Sequence, residues 1–172
     1  FGFIKIASEI KSKYPNVYFV LAGSGIDNHN IILLNWIDKF NLRSSFRLLG
    51  NRKDIHKLNS ALDLYLSPSY GEGFPNAIGE AMSCGVPCIA TNVGDCKQII
   101  NDNNLISEVN NSEDLVNKVL MCLNWNQQEI KKQSFLARQR IKNFFSIEKI
   151  NQKYEEFYQK LFNNNSSYFE DI

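Results

Sequence analysis

The chain has 172 residues, 44% hydrophobic and 22% charged, the balance of one globular domain with a sizeable core. Nineteen basic against eighteen acidic residues leave a net charge of +1, which excludes the strongly basic surface of a dedicated nucleic-acid binder. No apolar run reaches the ~18 residues of a spanning helix, and four cysteines in so apolar a chain do not amount to a disulfide framework.

The chain opens on Phe1 in mid-pattern, with neither a Met nor a leader signature, and is expected to be a piece of a longer protein. Phe3, Ala7, Ile10 and Tyr14 recur at helical spacing, and Pro15-Asn16 ends that helix. Val17 to Gly23 (VYFVLAG) reads as a buried strand, a continuous apolar run with β-branched and aromatic residues. A helix is expected from about Asp27 to Phe40 with Ile31, Leu34 and Ile37 inward, then a short strand over Phe46 to Gly50 and a short helix over Asp54 to Ala61. Leu62 to Ser69 is the next strand, followed by a helix from about Pro75 to Ser83 that Gly85 closes in a left-handed cap. Val86 to Val93 is a strand, Asp95 to Ile100 a short helix and Leu105 to Val109 a weaker strand. Three helices finish the pattern: Ser112 to about Trp125, Gln127 to Phe144 and Ser146 to Phe162.

This alternation predicts an α/β fold, a Rossmann-like parallel sheet with helices on both faces and a ligand site at the carboxyl ends of the strands. One domain is expected over residues 1–162, with a disordered tail over 163–172. Asparagine is abundant but scattered through periodic segments, a bias of composition rather than a low-complexity region. Cys84 and Cys88 flank a strand without a nearby His and read as small hydrophobes; His29 and His56 read as solvated surface residues.

The segment Ser69 to Thr91, SYGEGFPNAIGEAMSCGVPCIAT, carries the chemistry. A helix beginning near Pro75 points free N–H groups and its positive end toward the strand edge, where an anion binds without a basic side chain. Gly71 and Gly73 let a ligand approach the main chain. Glu72 and Glu80, with seven residues between them, are acceptors suited to vicinal hydroxyls on either side of that anion. A phosphate between two hydroxyl-bearing rings describes a nucleotide sugar. Taken singly, each acid is more simply a solvated surface residue; the Gly-Phe-Pro turn, the small residues and the strand-end position favour the site.

This stretch resembles the signature of the retaining glycosyltransferases of family 4, which have the two-domain GT-B fold. The pattern Glu, seven residues, Glu is followed by a small-residue helix, Gly85-Val86-Pro87-Cys88 and the Gly94-Asp95 turn, and FVLAGSG and FRLLGNRKDI match further family segments. The resemblance covers residues 1–162 and implies the C-terminal, donor-binding domain. It implies that Glu80 holds the ribose hydroxyls and that Glu72, the residue assigned to catalysis, holds the hydroxyls of the transferred sugar. Main-chain N–H groups of Gly73, Phe74, Asn76, Ala77 and Ile78, around Pro75, would serve sugar and diphosphate. Leu49, Gly50 and Asn51 would border the base, and Gly23 and Ser24 lie near the donor cleft. The substrate is a nucleoside diphosphate sugar, and no metal or other cofactor is implied. The acceptor, a glycan or glycolipid, would be held by an absent N-terminal domain, and the intact enzyme would be cytoplasmic, with association at the membrane periphery and polysaccharide assembly as its setting.

The family begins this domain with a strand ending in Gly-Arg-Leu and then a Lys; Phe1 stands where the Lys would be, so the basic pair and the central first strand are both missing. Arg52 and Lys53 are read as solvated loop residues, and Tyr154, Phe157 and Tyr158 as packing residues rather than a ligand platform. Gly23-Ser24-Gly25 lacks the third glycine and the later acid of a dinucleotide fingerprint. The rival reading is a non-catalytic nucleotide-binding or interaction module of the same descent; a GT-B epimerase would need a different acid and histidine set.

Overall fold

The computed structural model describes residues 2–166. Among these residues five short parallel strands and eight α-helices follow one another in the alternation that the periodicity predicts. Helix α1 (Gly2–Lys13) buries Ile4, Ala7 and Ile10 at helical spacing. Strand β1 (Phe19–Leu21) pairs in parallel with β2 (Phe46–Leu48), Phe19 opposite Phe46. These two rings stack at 5.1 Å, and Phe3 of α1 meets both edge-on at 6.2 and 6.3 Å, fixing α1 to the strand pair.

The second sheet has the order β3 (Tyr65–Ser67), β4 (Cys88–Thr91), β5 (Ile106–Ser107). All four residues of β4 are buried because helices flank it: α6 (Ser112–Leu123) with α1, and α4 (Asn76–Ser83) and α5 (Cys96–Ile100) with α7 (Gln127–Phe144). Ile89 is fully buried at its centre, worth roughly 1.5–3 kcal/mol of burial. The cysteines behave as small hydrophobes: Cys88, Cys96 and Cys122 are buried free thiols, and burial pushes the Cys122 thiol up to about 12. His29 and His56 are exposed.

Among the described residues β1 and β3 do not pair, so the sheet is divided in two. Residues 17–22 and 61–66 line one cavity of about 770 Å³, floored by Phe3 and Ile10 of α1 and by Val119 and Cys122 of α6. Consecutive residues of a strand point alternately to its two faces, so only an edge can present all of them to one space. The cavity therefore lies between two open ladder edges, at the position where the family resemblance leads one to expect a central strand. It also explains why β1 and β3 are shorter than the apolar runs that contain them: Val17, Tyr18, Leu62 and Leu64 have no ladder partner on that side.

Other boundaries differ for local reasons. Helix α2 (Ile31–Lys39) starts four residues late, because Asp27 to Asn30 forms a turn in which His29 N–H donates to Asp27 at 2.8 Å and Asn30 then caps the helix through Leu33 N–H. Its buried residues are Leu33 and Ile37, whereas Ile31 is 70% exposed. Helix α3 (Ile55–Ser60) follows β2. Two 3₁₀ turns, Arg43–Ser45 and Asn103–Leu105, precede β2 and β5. Gly85 has the expected left-handed backbone, φ +82°. Helix α8 (Ile147–Ser166) continues four residues into the stretch expected as a tail; 167–172 lie outside the described residues. Contrary to the packing reading, Tyr154, Phe157 and Tyr158 are more than half exposed, because among the described residues the main packing of α8 is against α7. No helix among the described residues is long and apolar enough to cross a membrane.

Candidate functional site

The site forms at the carboxyl end of β3, where Ser67-Pro68-Ser69 stops the strand and a loop leads into α4. Pro75 sits at the cap position, buried, with φ −76° suited to a helix start, and no side chain caps the helix. The amides of Asn76 and Ile78 already donate, to the carbonyls of Phe74 at 2.9 Å and Pro75 at 3.0 Å. Among the described residues those of Gly73, Phe74 and Ala77 make no hydrogen bond, so three donors cluster at the positive end of α4. The expectation of main-chain donors from Gly73 through Ile78 thus narrows to these, because Pro75 has no N–H and the first helical turn uses the others. The side chain of Ile78 is buried and anchors α4. A Cβ at Gly71 or Gly73 would meet nothing within 4 Å, so the loop backbone faces open space.

Glu72 and Glu80 are both exposed, and neither forms an ion pair among the described residues. Glu72 accepts a hydrogen bond from Ser69 Oγ at 2.7 Å. Glu80 carries no such partner; it lines the cavity between the half-sheets, together with Ala77 and with Ala22 at the end of β1. Tyr65 is half-buried in the same cavity, and burial first, then the neighbouring Cys88, Glu72 and Glu80, pushes its phenol up. Phe74 is half exposed and rests on Phe145, past the end of α7, at 5.9 Å.

The turn after β4 buttresses this loop. Asp95 N–H donates to Gly73 O at 3.0 Å, and Gly94, at φ +49°, packs so closely that a Cβ there would overlap the carbonyl oxygens of Gly73 and Glu72. Thr91, 3% exposed, donates its hydroxyl to the carbonyl of Ser69. Sequence reasoning placed Gly94-Asp95 in a motif without a role and passed over Tyr65, Ser69 and Thr91. The small, β-branched, polar Thr91 closing an otherwise apolar strand was the one available signal.

A second group gathers at the ends of β1 and β2. Leu49 N–H donates to Leu21 O at 2.9 Å, Gly23 N–H to Gly50 O at 2.8 Å and Gly50 N–H to Ile26 O at 2.7 Å. Gly23 and Gly50 both have positive φ, which lets the two loops cross. Ser24 and Asn51 are exposed beside them and Leu49 is about one-third exposed. Arg52 is held by Asp54 through two hydrogen bonds of 2.8 and 2.6 Å, which raises the guanidinium and lowers the carboxyl from their ordinary values. Lys53 is exposed. Phe1, compared above with the family's Lys, lies outside the described residues.

The family model described as "Glycosyl transferases group 1" matches residues 2–124. The chain is 30% identical, over 84% of its length, to the UDP-Gal:alpha-D-GlcNAc-diphosphoundecaprenol alpha-1,3-galactosyltransferase of Escherichia coli, of which it spans 37%. Among solved structures it is similar to a glycosyltransferase from Rickettsia africae ESF-5, with TM-score 0.81 and 27% identity over 95% of this chain and 45% of that one. It is also similar to Anabaena Alr3699/HepE in complex with UDP-glucose, with TM-score 0.76 and 25% identity over 92% of this chain and 44% of that one.

Proposed function

The chain belongs to the group 1 glycosyltransferases as their C-terminal, donor-binding GT-B domain, and from that premise we propose how residues 1–162 hold a nucleoside diphosphate sugar for transfer. The observation that carries the reading is the three free amides of Gly73, Phe74 and Ala77 at the uncapped end of α4, with the exposed carboxylates of Glu72 in the loop before it and Glu80 within it. The diphosphate sits on those amides, which supply fixed positive dipoles as negative charge gathers on the leaving group. Glu80 accepts from the ribose hydroxyls and Glu72 from the transferred sugar. The crossed loops of Gly23 and Leu49 to Asn51 border the base, largely through backbone. HepE, crystallised with UDP-glucose, makes a uridine nucleotide the first donor to try.

In the complete enzyme the acceptor is a glycan or glycolipid held by an N-terminal domain, and the anomeric configuration is retained. Neither step needs a metal in this scheme. The rival, a module that binds nucleotide and transfers nothing, is favoured by one observation: Arg52, a cation beside the base loop, is already paired with Asp54. Turnover by the chain joined to an acceptor domain decides between them.

Calorimetry with UDP-, GDP- and ADP-sugars, and with the free nucleotides, tests the assignment. Glu80→Ala will weaken the preferred nucleoside diphosphate about ten- to a hundredfold, since a hydrogen bond to a charged group contributes roughly 1.5–3 kcal/mol. Equal affinity in parent and variant removes Glu80 from the ribose. Glu72→Ala will spare the free nucleotide while weakening the nucleotide sugar and depressing turnover. If both ligands weaken alike, Glu72 supports the loop and not the sugar.

A further inference from the structure

The donor loop has a built-in brace whose parts lie on different strands. Thr91, at the end of β4, is almost fully buried, and its hydroxyl donates to the carbonyl of Ser69 and approaches that of Ser67 at 3.4 Å. Ser69 in turn donates its own hydroxyl to Glu72 at 2.7 Å and meets Ser67 Oγ at 3.3 Å. A buried hydroxyl thus fixes the main chain of the residue whose side chain aims the carboxylate.

We propose that Thr91 is a positioning residue for the donor sugar, acting through Ser69 to set the direction of Glu72. The Glu72 side chain is exposed and has several free torsions, so without a partner it would sample many directions. Its one hydrogen bond restricts it, and that bond has a defined direction only if Ser69 is itself held. Thr91 supplies the hold from inside the core, where no water competes. The amides of Gly73, Phe74 and Ala77 are not part of this chain of bonds. Loss of the hydroxyl therefore affects recognition of the sugar more than that of the nucleotide, which separates this role from a general structural one. The proposal rests on the reading that Glu72 contacts the transferred sugar.

The test uses Thr91→Val, which keeps shape and loses the hydroxyl, and Thr91→Ser, which keeps the hydroxyl. The probes are UDP and UDP-glucose, and the backbone order parameters of residues 69–72 are followed by NMR relaxation without ligand. Thr91→Val is expected to lower those order parameters from about 0.85 to below about 0.6 and to lower the affinity for UDP-glucose about tenfold while leaving UDP unchanged; Thr91→Ser restores both. Ser69→Ala, which cuts the second link from the solvent side, should reproduce the loss for UDP-glucose if Thr91→Val folds poorly. Unchanged order parameters in Thr91→Val, or equal weakening of both ligands, overturns the proposal. Should Glu72→Ala leave UDP-glucose affinity intact, the sugar reading of Glu72 fails by itself, and the order parameters still decide whether Thr91 holds the loop.

Discussion

Extending the chain upstream of Phe1 by a strand-forming segment will raise its melting temperature by about 10–20 °C. The two half-sheets present open edges to one cavity of about 770 Å³, whose floor is the apolar face of α1 and α6. A parallel strand inserted there gains ladder bonds on both sides and buries its side chains against helices already in place. A strand added before α1 would reach β1 through α1 as a parallel crossover, so the slot has the right neighbour in the chain. A net gain on the order of 5 kcal/mol is reasonable for such a segment, and at about 2–4 °C per kcal/mol this gives the stated shift. The unextended chain, with two unpaired edges, is expected to self-associate. Thermal unfolding and size-exclusion chromatography of both lengths, side by side, check this. A monodisperse short chain that melts with the extended one would mean that the cavity closes unaided.

That gap was legible only through the family resemblance, which begins this domain with a strand that has no counterpart in the sequence; Val17 to Gly23, a continuous apolar run, marks an interior strand but not which partner it lacks. Elements with strong local signals came out at their true bounds. Gln127–Phe144 is one, begun by Asn126, whose side chain accepts from Glu129 N–H. Elements governed by weak signals did not: Asp27, Asn28 and Asn30 are three candidate caps in four residues, so composition alone does not say which begins the helix, and the 3₁₀ turns carry no signature of their own. Within the site, Glu72 and Glu80 announce themselves because one loop and one helix hold them. The link from Thr91 to Ser69 spans 22 positions and exists only through the register of β4 against β3, Ser67 opposite Ala90. Periodicity reports which face a residue takes, not which loop it will meet. The exposed aromatics of α8 fail for the mirror reason: an apolar helical face says that something covers it, and the sequence cannot say whether the cover belongs to the same chain.

Gly94→Ala will cost about 2–4 kcal/mol and abolish measurable binding of the nucleotide sugar. Two effects combine. An alanine at φ +49° sits in the left-handed region, at roughly 1 kcal/mol over glycine. Its methyl group would then overlap the carbonyl oxygens of Gly73 and Glu72 and lie 2.9 Å from the Glu72 carbonyl carbon. None of these is the tip of a flexible side chain, so the loop itself must shift, breaking the Asp95 to Gly73 hydrogen bond and carrying Glu72 and the Gly73 and Phe74 amides with it. Gly71→Ala is the matched control. Its Cβ meets nothing within 4 Å and its φ is not positive, so the fold should lose less than about 1 kcal/mol. Denaturant melts and calorimetry with UDP-glucose on the two variants separate the cases. If Gly94→Ala melts and binds like Gly71→Ala, the turn after β4 does not hold the donor loop, and the carboxylate beside it must owe its placement to α4 alone.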